Sequence, residues 1–80
     1  MQVTIKLFAM LKEQLGEEIV LEVPEPATVR GLLERFGQAY PQFRAALPSL
    51  NVAVDHTYVR GDVPIGPGQE VAIFPPVSGG

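Results

Sequence analysis

The residues with the clearest chemical potential are the last two. Gly79 and Gly80 close the sequence. Neither has a Cβ, so this end adopts nearly any backbone geometry and is as thin as a peptide can be. The group on offer is the α-carboxylate of Gly80, which such a strip of chain could carry through a narrow channel into another protein's active site. Alone the pair is a weak signal: at ordinary glycine usage a Gly-Gly end arises by chance in roughly one chain in 200, and frayed termini often carry glycine. The rest of the chain adds weight by offering no other chemistry. There is no cysteine, which excludes a disulfide scaffold, a thiolate metal site and a reactive sulfur on a side chain. His56 is the only histidine, and with no clustered nucleophile near it in sequence it reads as an exposed turn residue rather than a general base. Glu13, Glu17, Glu18, Glu22, Glu25 and Glu34 are scattered, with no spacing that suggests an acid–base pair or a metal site. Gly66-Pro67-Gly68 is a turn and not a phosphate loop, because no helix bearing a lysine follows it. The expectation is no independent active site and no metal, with Gly80 as the reacting terminus and Gly79 giving access to it.

Such an end needs a body to present it. Gln2 to Phe8 alternates, with Val3, Ile5 and Leu7 on one face and Gln2, Thr4, Lys6 and Phe8 on the other, the pattern of a half-buried strand. Leu11 and Leu15, four apart and followed by Gly16, suggest one or two helical turns. Glu18 to Val23 alternates again, with Ile19, Leu21 and Val23 inward, until Pro24 and Pro26 stop it. Thr28 offers a cap to a helix with Val29, Leu32, Leu33 and Phe36 on one stripe and Ala39 and Tyr40 near its end. Gly31 and Gly37 weaken that helix by about 1 kcal/mol each, so packing must hold it. Pro41 ends it or opens a short turn through Phe43 to Leu47. Asn51 to Asp55 reads as a strand, Asp55-His56-Thr57 as a turn into a short strand at Tyr58-Val59, and Gln69 to Phe74 as the last strand, with Val71 and Ile73 inward. The order of strand, strand, helix, strand, short strand, strand requires one helix across one face of a mixed sheet. This is an α+β fold of the β-grasp, ubiquitin-like type, with first and last strands as parallel neighbours. Residues 1–74 form the domain and 75–80 a flexible tail, in which Pro75-Pro76 lacks ladder donors and favours an extended exit. Six extended residues reach at most about 20 Å.

Phe8 and Phe74 sit at the same ends of two strands expected to be parallel neighbours, both on the outward face. Tyr58 can join them from a nearby strand. Clustered exposed rings mark binding surfaces; the alternative is that they fold back over the loops as edge packing. With Pro75, Pro76 and Val77 they form the candidate partner-binding set at the base of the tail.

The 80 residues are 46% hydrophobic and 19% charged, which suits one folded domain rather than a disordered chain. A chain this short buries only about 60% of its unfolded surface, so its core must be efficient. No apolar run approaches a membrane span and no signal peptide is apparent, so a cytoplasmic protein away from the membrane is expected. Six Lys and Arg scattered through a chain of net charge -3 argue against nucleic acid. The mild acidity either aids docking to a basic partner or only keeps the chain soluble.

The ending Glu70-Val71-Ala72-Ile73-Phe74-Pro75-Pro76-Val77-Ser78-Gly79-Gly80 resembles the C-terminus of the small subunit of molybdopterin synthase, the MoaD family. Val3-Thr4-Ile5-Lys6-Leu7-Phe8-Ala9, the helical insertion through Gly16 and Val52-Ala53-Val54-Asp55 are similar too. The resemblance covers the whole chain. Thiazole-forming sulfur carriers share the fold and the diglycine but usually lack the insertion and the Pro-Pro-Val stretch. The resemblance implies that a ubiquitin-activating-type adenylating enzyme, using ATP and magnesium, activates Gly80. A sulfur donor protein then converts it to a thiocarboxylate, and the large synthase subunit receives the tail for molybdenum-cofactor biosynthesis. It implies no stably bound cofactor and no catalysis by this chain alone. Phe74 matches the family's aromatic at the tail base and Phe8 its partner on the first strand; Tyr58 stands where the family commonly has an apolar contact. A carrier for thiamin thiazole or tRNA thiolation, a protein modifier joined through Gly80, and a plain interaction module remain the alternatives.

Overall fold

The computed structural model describes residues 1–76. Its elements are β1 (Gln2–Leu7), α1 (Ala9–Leu15), β2 (Glu18–Glu22), α2 (Val29–Ala39), a 3₁₀ helix (Pro41–Ser49), β3 (Asn51–Val54), β4 (Thr57–Val59) and β5 (Val71–Phe74). The strands form one sheet in the order β2-β1-β5-β3-β4. Among the described residues only the central β1–β5 pair is parallel, with Ile5 opposite Val71 and Leu7 opposite Ile73; β2 and β3 flank it antiparallel.

The alternation read from the sequence decides which face is buried. Val3, Ile5 and Leu7 of β1, Ile19 and Leu21 of β2, Val52 and Val54 of β3, and Val71 and Ile73 of β5 all join one core with Leu11, Leu32, Phe36 and Phe43. Burying these aliphatic side chains supplies most of the stability, at about 1.5–3 kcal/mol for each large one. The connection from β1 to β2 takes in α1, which is anchored by buried Leu11. It ends where Gly16, at φ +99, donates its N–H to the Lys12 carbonyl at 2.8 Å, a conformation glycine adopts without Cβ strain.

The start of α2 is capped as expected, with Gly31 N–H donating to Thr28 Oγ1 at 3.1 Å. Gly37 has a packing reason: a Cβ there would come within 2.7 Å of Leu47 Cδ1, so the glycine lets the 3₁₀ helix lie close against α2. Phe36 stands between Tyr40 and Phe43, with ring centroids 5.3 and 5.7 Å away. The segment after Pro41 runs longer than its sequence suggests, through Ser49, because a three-residue turn leaves no 3.6-residue apolar stripe to read. No helix among the described residues is long and apolar enough to cross a membrane.

This is the expected β-grasp sheet with its main helix across one face. β5 is shorter than expected and begins at Val71. Asn51 stands opposite Phe74 at its far end, and Pro75 and Pro76 follow outside any strand. Val77, Ser78, Gly79 and Gly80 lie outside the described residues.

Candidate functional site

The face of the sheet away from α2 is built from the complementary set of side chains. Lys6 pairs with Ala72, Ala72 with Ala53, and Ala53 with Tyr58. One row therefore crosses four strands with two alanines at its centre. Phe8 lies two residues beyond Lys6, and Phe74 two beyond Ala72, so both rings stand at the next level on the same face. They stack, with centroids 4.4 Å apart and planes 11° from parallel. Tyr58 meets Phe74 edge-on at 5.4 Å and 61°, the geometry aromatic quadrupoles favour. The parallel β1–β5 pairing is what unites two residues so far apart in sequence.

The three rings gather as anticipated, and they remain open to solvent. Tyr58 is 67% exposed and Phe8 39%, while Phe74 is half-buried between them. Three large aromatics are thus kept partly wet side by side on one face, a grouping of the kind that binding surfaces present. Pro75 is half-buried and Pro76 exposed, immediately beyond the stack. The expected contact residue Val77 and the reacting end, Gly79 and Gly80, are not among the described residues.

Further residues of this site have no pattern in the sequence that singles them out. Ala53 and Ala72 floor a depression of about 240 Å³, walled by the rings and by Lys6, His56 and Glu70. The only trace in the sequence is a small residue at outward positions of otherwise bulky strands. Glu70 holds His56 Nε2 at 3.1 Å with one carboxylate oxygen and Lys6 Nζ at 3.8 Å with the other. His56 is therefore an exposed partner of Glu70 in a tight turn, as its surroundings suggested. These exposed pairs add little stability, but they fix a charged lip beside the rings.

Asp55 sets that lip. Asp55 and His56 form the two-residue loop between β3 and β4, at φ +49 and +67. Both are left-handed, as this hairpin geometry requires; Asp tolerates it better than most residues. The Glu70 amide donates to Asp55 Oδ1 at 2.9 Å, Gln69 Nε2 donates to Oδ2 at 3.0 Å, and the Asp55 amide donates to the Glu70 carbonyl at 2.8 Å. The Glu70 amide first and the Gln69 side chain second hold the Asp55 carboxyl below the usual carboxylate range. One backbone bond and two bonds to the Asp55 carboxylate thus tie Gln69 and Glu70 to the end of β3.

Among the described residues no group of three or more His, Cys, Asp or Glu is placed to hold a metal ion. The site as described is an exposed aromatic patch with a charged lip, next to Pro75 and Pro76.

Comparison with known proteins agrees with this layout. The sequence pattern of the ThiS family matches residues 5–80. The molybdopterin synthase sulfur carrier subunit of Dictyostelium discoideum is 36% identical over 99% of this chain and 96% of its own length. The protein of the same name from Escherichia coli (strain K12) is 32% identical over 98% of this chain and 99% of its own. Among solved structures, SAMP1 from Haloferax volcanii superposes with a TM-score of 0.80 at 29% identity, covering all of both chains. Sheet order, helix placement and the match running through residue 80 coincide over one and the same stretch: the chain belongs to the ThiS family.

Proposed function

We propose that this chain is the sulfur carrier and small subunit of molybdopterin synthase. The observation that carries the reading is the end-to-end relationship, at 36% and 32% identity, to two proteins of that name. The helix α1 after β1 and the Phe8–Phe74 stack at the root of Pro75-Pro76 support it.

A carboxylate is a poor acyl donor because its leaving group is oxide. In the proposed cycle a ubiquitin-activating-type enzyme joins the Gly80 carboxylate to AMP, using ATP and magnesium and releasing pyrophosphate. A sulfur donor protein displaces the AMP and leaves a thiocarboxylate. Its sulfur is nucleophilic at neutral pH, and glycine adds no bulk beside it. In the large synthase subunit that sulfur attacks a carbon of the pyranopterin precursor and displaces an oxygen substituent from it, and water cleaves the resulting acyl–sulfur bond. The sulfur stays on the precursor and the Gly80 carboxylate is regenerated. The chain does no catalysis alone and works in the cytoplasm; its part is to present the end, with residues 1–74 as handle and 75–80 as tail.

Intact-mass measurement tests this. After incubation with the activating enzyme, ATP and a sulfur source, one oxygen should be replaced by sulfur, and deletion of Gly80 should abolish the change with the melting temperature unaltered. An unchanged mass for the full chain sinks the proposal. The likeness to SAMP1, a small archaeal modifier protein, favours a second reading, a modifier joined to lysines through Gly80, whose mark would be isopeptide-linked adducts in cell extracts.

A further inference from the structure

The end of β1 is built in an unfavourable way. Phe8 is extended, at φ -133 and ψ 159, and serves as the N-cap of α1 without any side-chain cap. The next residue, Ala9, lies at φ +53, a left-handed conformation that L-residues with a Cβ avoid. Glycine would fit there freely, as it does at Gly16. Backbone held in such a region persists only where its surroundings over-determine it, and it clusters at functional sites.

Those surroundings are identifiable. Buried Leu7 precedes Phe8 and buried Leu11 follows it, and the Phe8 carbonyl accepts the Leu11 and Lys12 amides at 3.2 and 3.4 Å. The backbone of Phe8 is therefore pinned from both sides, and its ring is delivered flat against Phe74. Tyr58 closes on Phe74 as well. Phe74 precedes a proline, which restricts it to extended backbone, and Pro75 has its own φ fixed. A stacked ring followed by two residues of restricted backbone narrows the directions in which the chain can leave the sheet.

We propose that Phe8 is a positioning residue, acting through Phe74 to aim the Pro75-Pro76 segment, and that the turn at Ala9 exists to hold it there. The inference rests on the function proposed above and assigns Phe8 more than a share of the docking contact. Aim governs how often the bound chain end reaches the adenylation site, whereas contact governs how tightly the body is held.

The experiment is carrier-dependent exchange of pyrophosphate into ATP by the adenylating enzyme, with the wild-type chain, Phe8→Leu and Phe8→Tyr. Leu keeps apolar bulk on the docking face but has no ring plane; Tyr keeps the plane. Phe8→Leu should lower kcat by about tenfold or more, the scale of a misplaced reacting group. Its KM should stay within about twofold, and Phe8→Tyr should restore kcat. Thermal melts of each variant separate these effects from loss of fold, and should Phe8→Leu unfold, the same split read with Phe8→Met decides. A rise in KM with kcat unchanged overturns the inference and leaves the carrier reading standing. No exchange with the wild-type chain removes both.

Discussion

The two faces of the sheet come from the same strands, residue by alternate residue, and they are built on different rules. The face beneath α2 uses Val, Ile and Leu at nearly every position and is sealed. The opposite face has two alanines in the middle, three half-wet rings at one end and the Lys6–Glu70–His56 lip beside them. What matters on the first face is volume, because close-packed interiors feel a single methylene. On the second, position matters, because rings and charges act only if aimed. The strands thus put the packed core and the exposed aromatic patch on opposite sides of one sheet.

The sharpest way to break that separation is to cut neighbouring residues that face opposite ways. Ile73 is fully buried and Phe74 is half-exposed. Ile73→Ala should cost about 2–5 kcal/mol of stability, which at this size lowers the melting temperature by about 4–8 °C per kcal/mol. A variant that remains folded should still bind the large synthase subunit proposed as its partner. Phe74→Ala should cost no more than about 1–2 kcal/mol of stability but weaken that complex by about 2 kcal/mol or more, as a central aromatic anchor does. Calorimetric melts and titration calorimetry on both variants provide the check. Equal losses in both measurements for both variants would show that the faces are not separable.

The packed face was largely legible in the sequence because its rules are periodic. Val3, Ile5, Leu7 and Ile19, Leu21, Val23 announce their strands, and Thr28 with Val29, Leu32 and Phe36 announces α2. The outer face was legible only where periodicity extended to it, which is why Phe8, Phe74 and Tyr58 were found. Glu70, Lys6 and His56 meet only through the parallel β1–β5 pairing and the β3–β4 hairpin, so no local pattern reveals them. Gln69 and Glu70 read as strand because their alternation continues, but beyond Val71 the pairing narrows to one backbone bond, supplemented by two bonds to the Asp55 carboxylate. Gly37 reads from sequence as a weakness in α2, because the reason for it, Leu47 lying against it, is a tertiary contact.

Gly37 also sharpens the comparison, since it tests whether the packed side has any slack. Alanine at this position gains helix propensity of up to about 1 kcal/mol but drives a methyl group into Leu47 Cδ1. Overpacking of this kind typically costs about 1–3 kcal/mol, reduced here because the tip of a half-buried leucine can shift. Gly37→Ala alone should therefore be destabilising by no more than about 1 kcal/mol. In a Leu47→Ala background the same change should become stabilising, by about 0.5–1 kcal/mol. A double-mutant cycle in denaturant measures the coupling; strict additivity would mean that the two residues do not press on one another.

The smallest expected effect belongs to the outer face and is read with pH. The Asp55 carboxyl, stabilised as its anion by the Glu70 amide and by Gln69, is held below the ordinary carboxylate range. A depressed folded-state pKa contributes stability above the unfolded value, about 3.9, and that contribution disappears as pH falls through the lower folded value. The loss therefore falls below about pH 4, with neutral pH unaffected. Asp62 behaves in the same sense, held down by the Arg30 amide and the Thr28 side chain, so Asp62→Asn serves as the reference. Asp55→Asn removes the charge while keeping a residue that tolerates left-handed backbone. It should be less stable than the parent at neutral pH and converge with it in acid. In the parent, amide exchange at low pH should rise in the Asp55–His56 hairpin and at Glu70 before it rises at Ile5 or Ile73. Melting curves that stay parallel across the acid range would show that Asp55 carries no linked stability. Exchange that rises together on both faces would show that the lip is held by packing, as the core is, and not by this carboxylate.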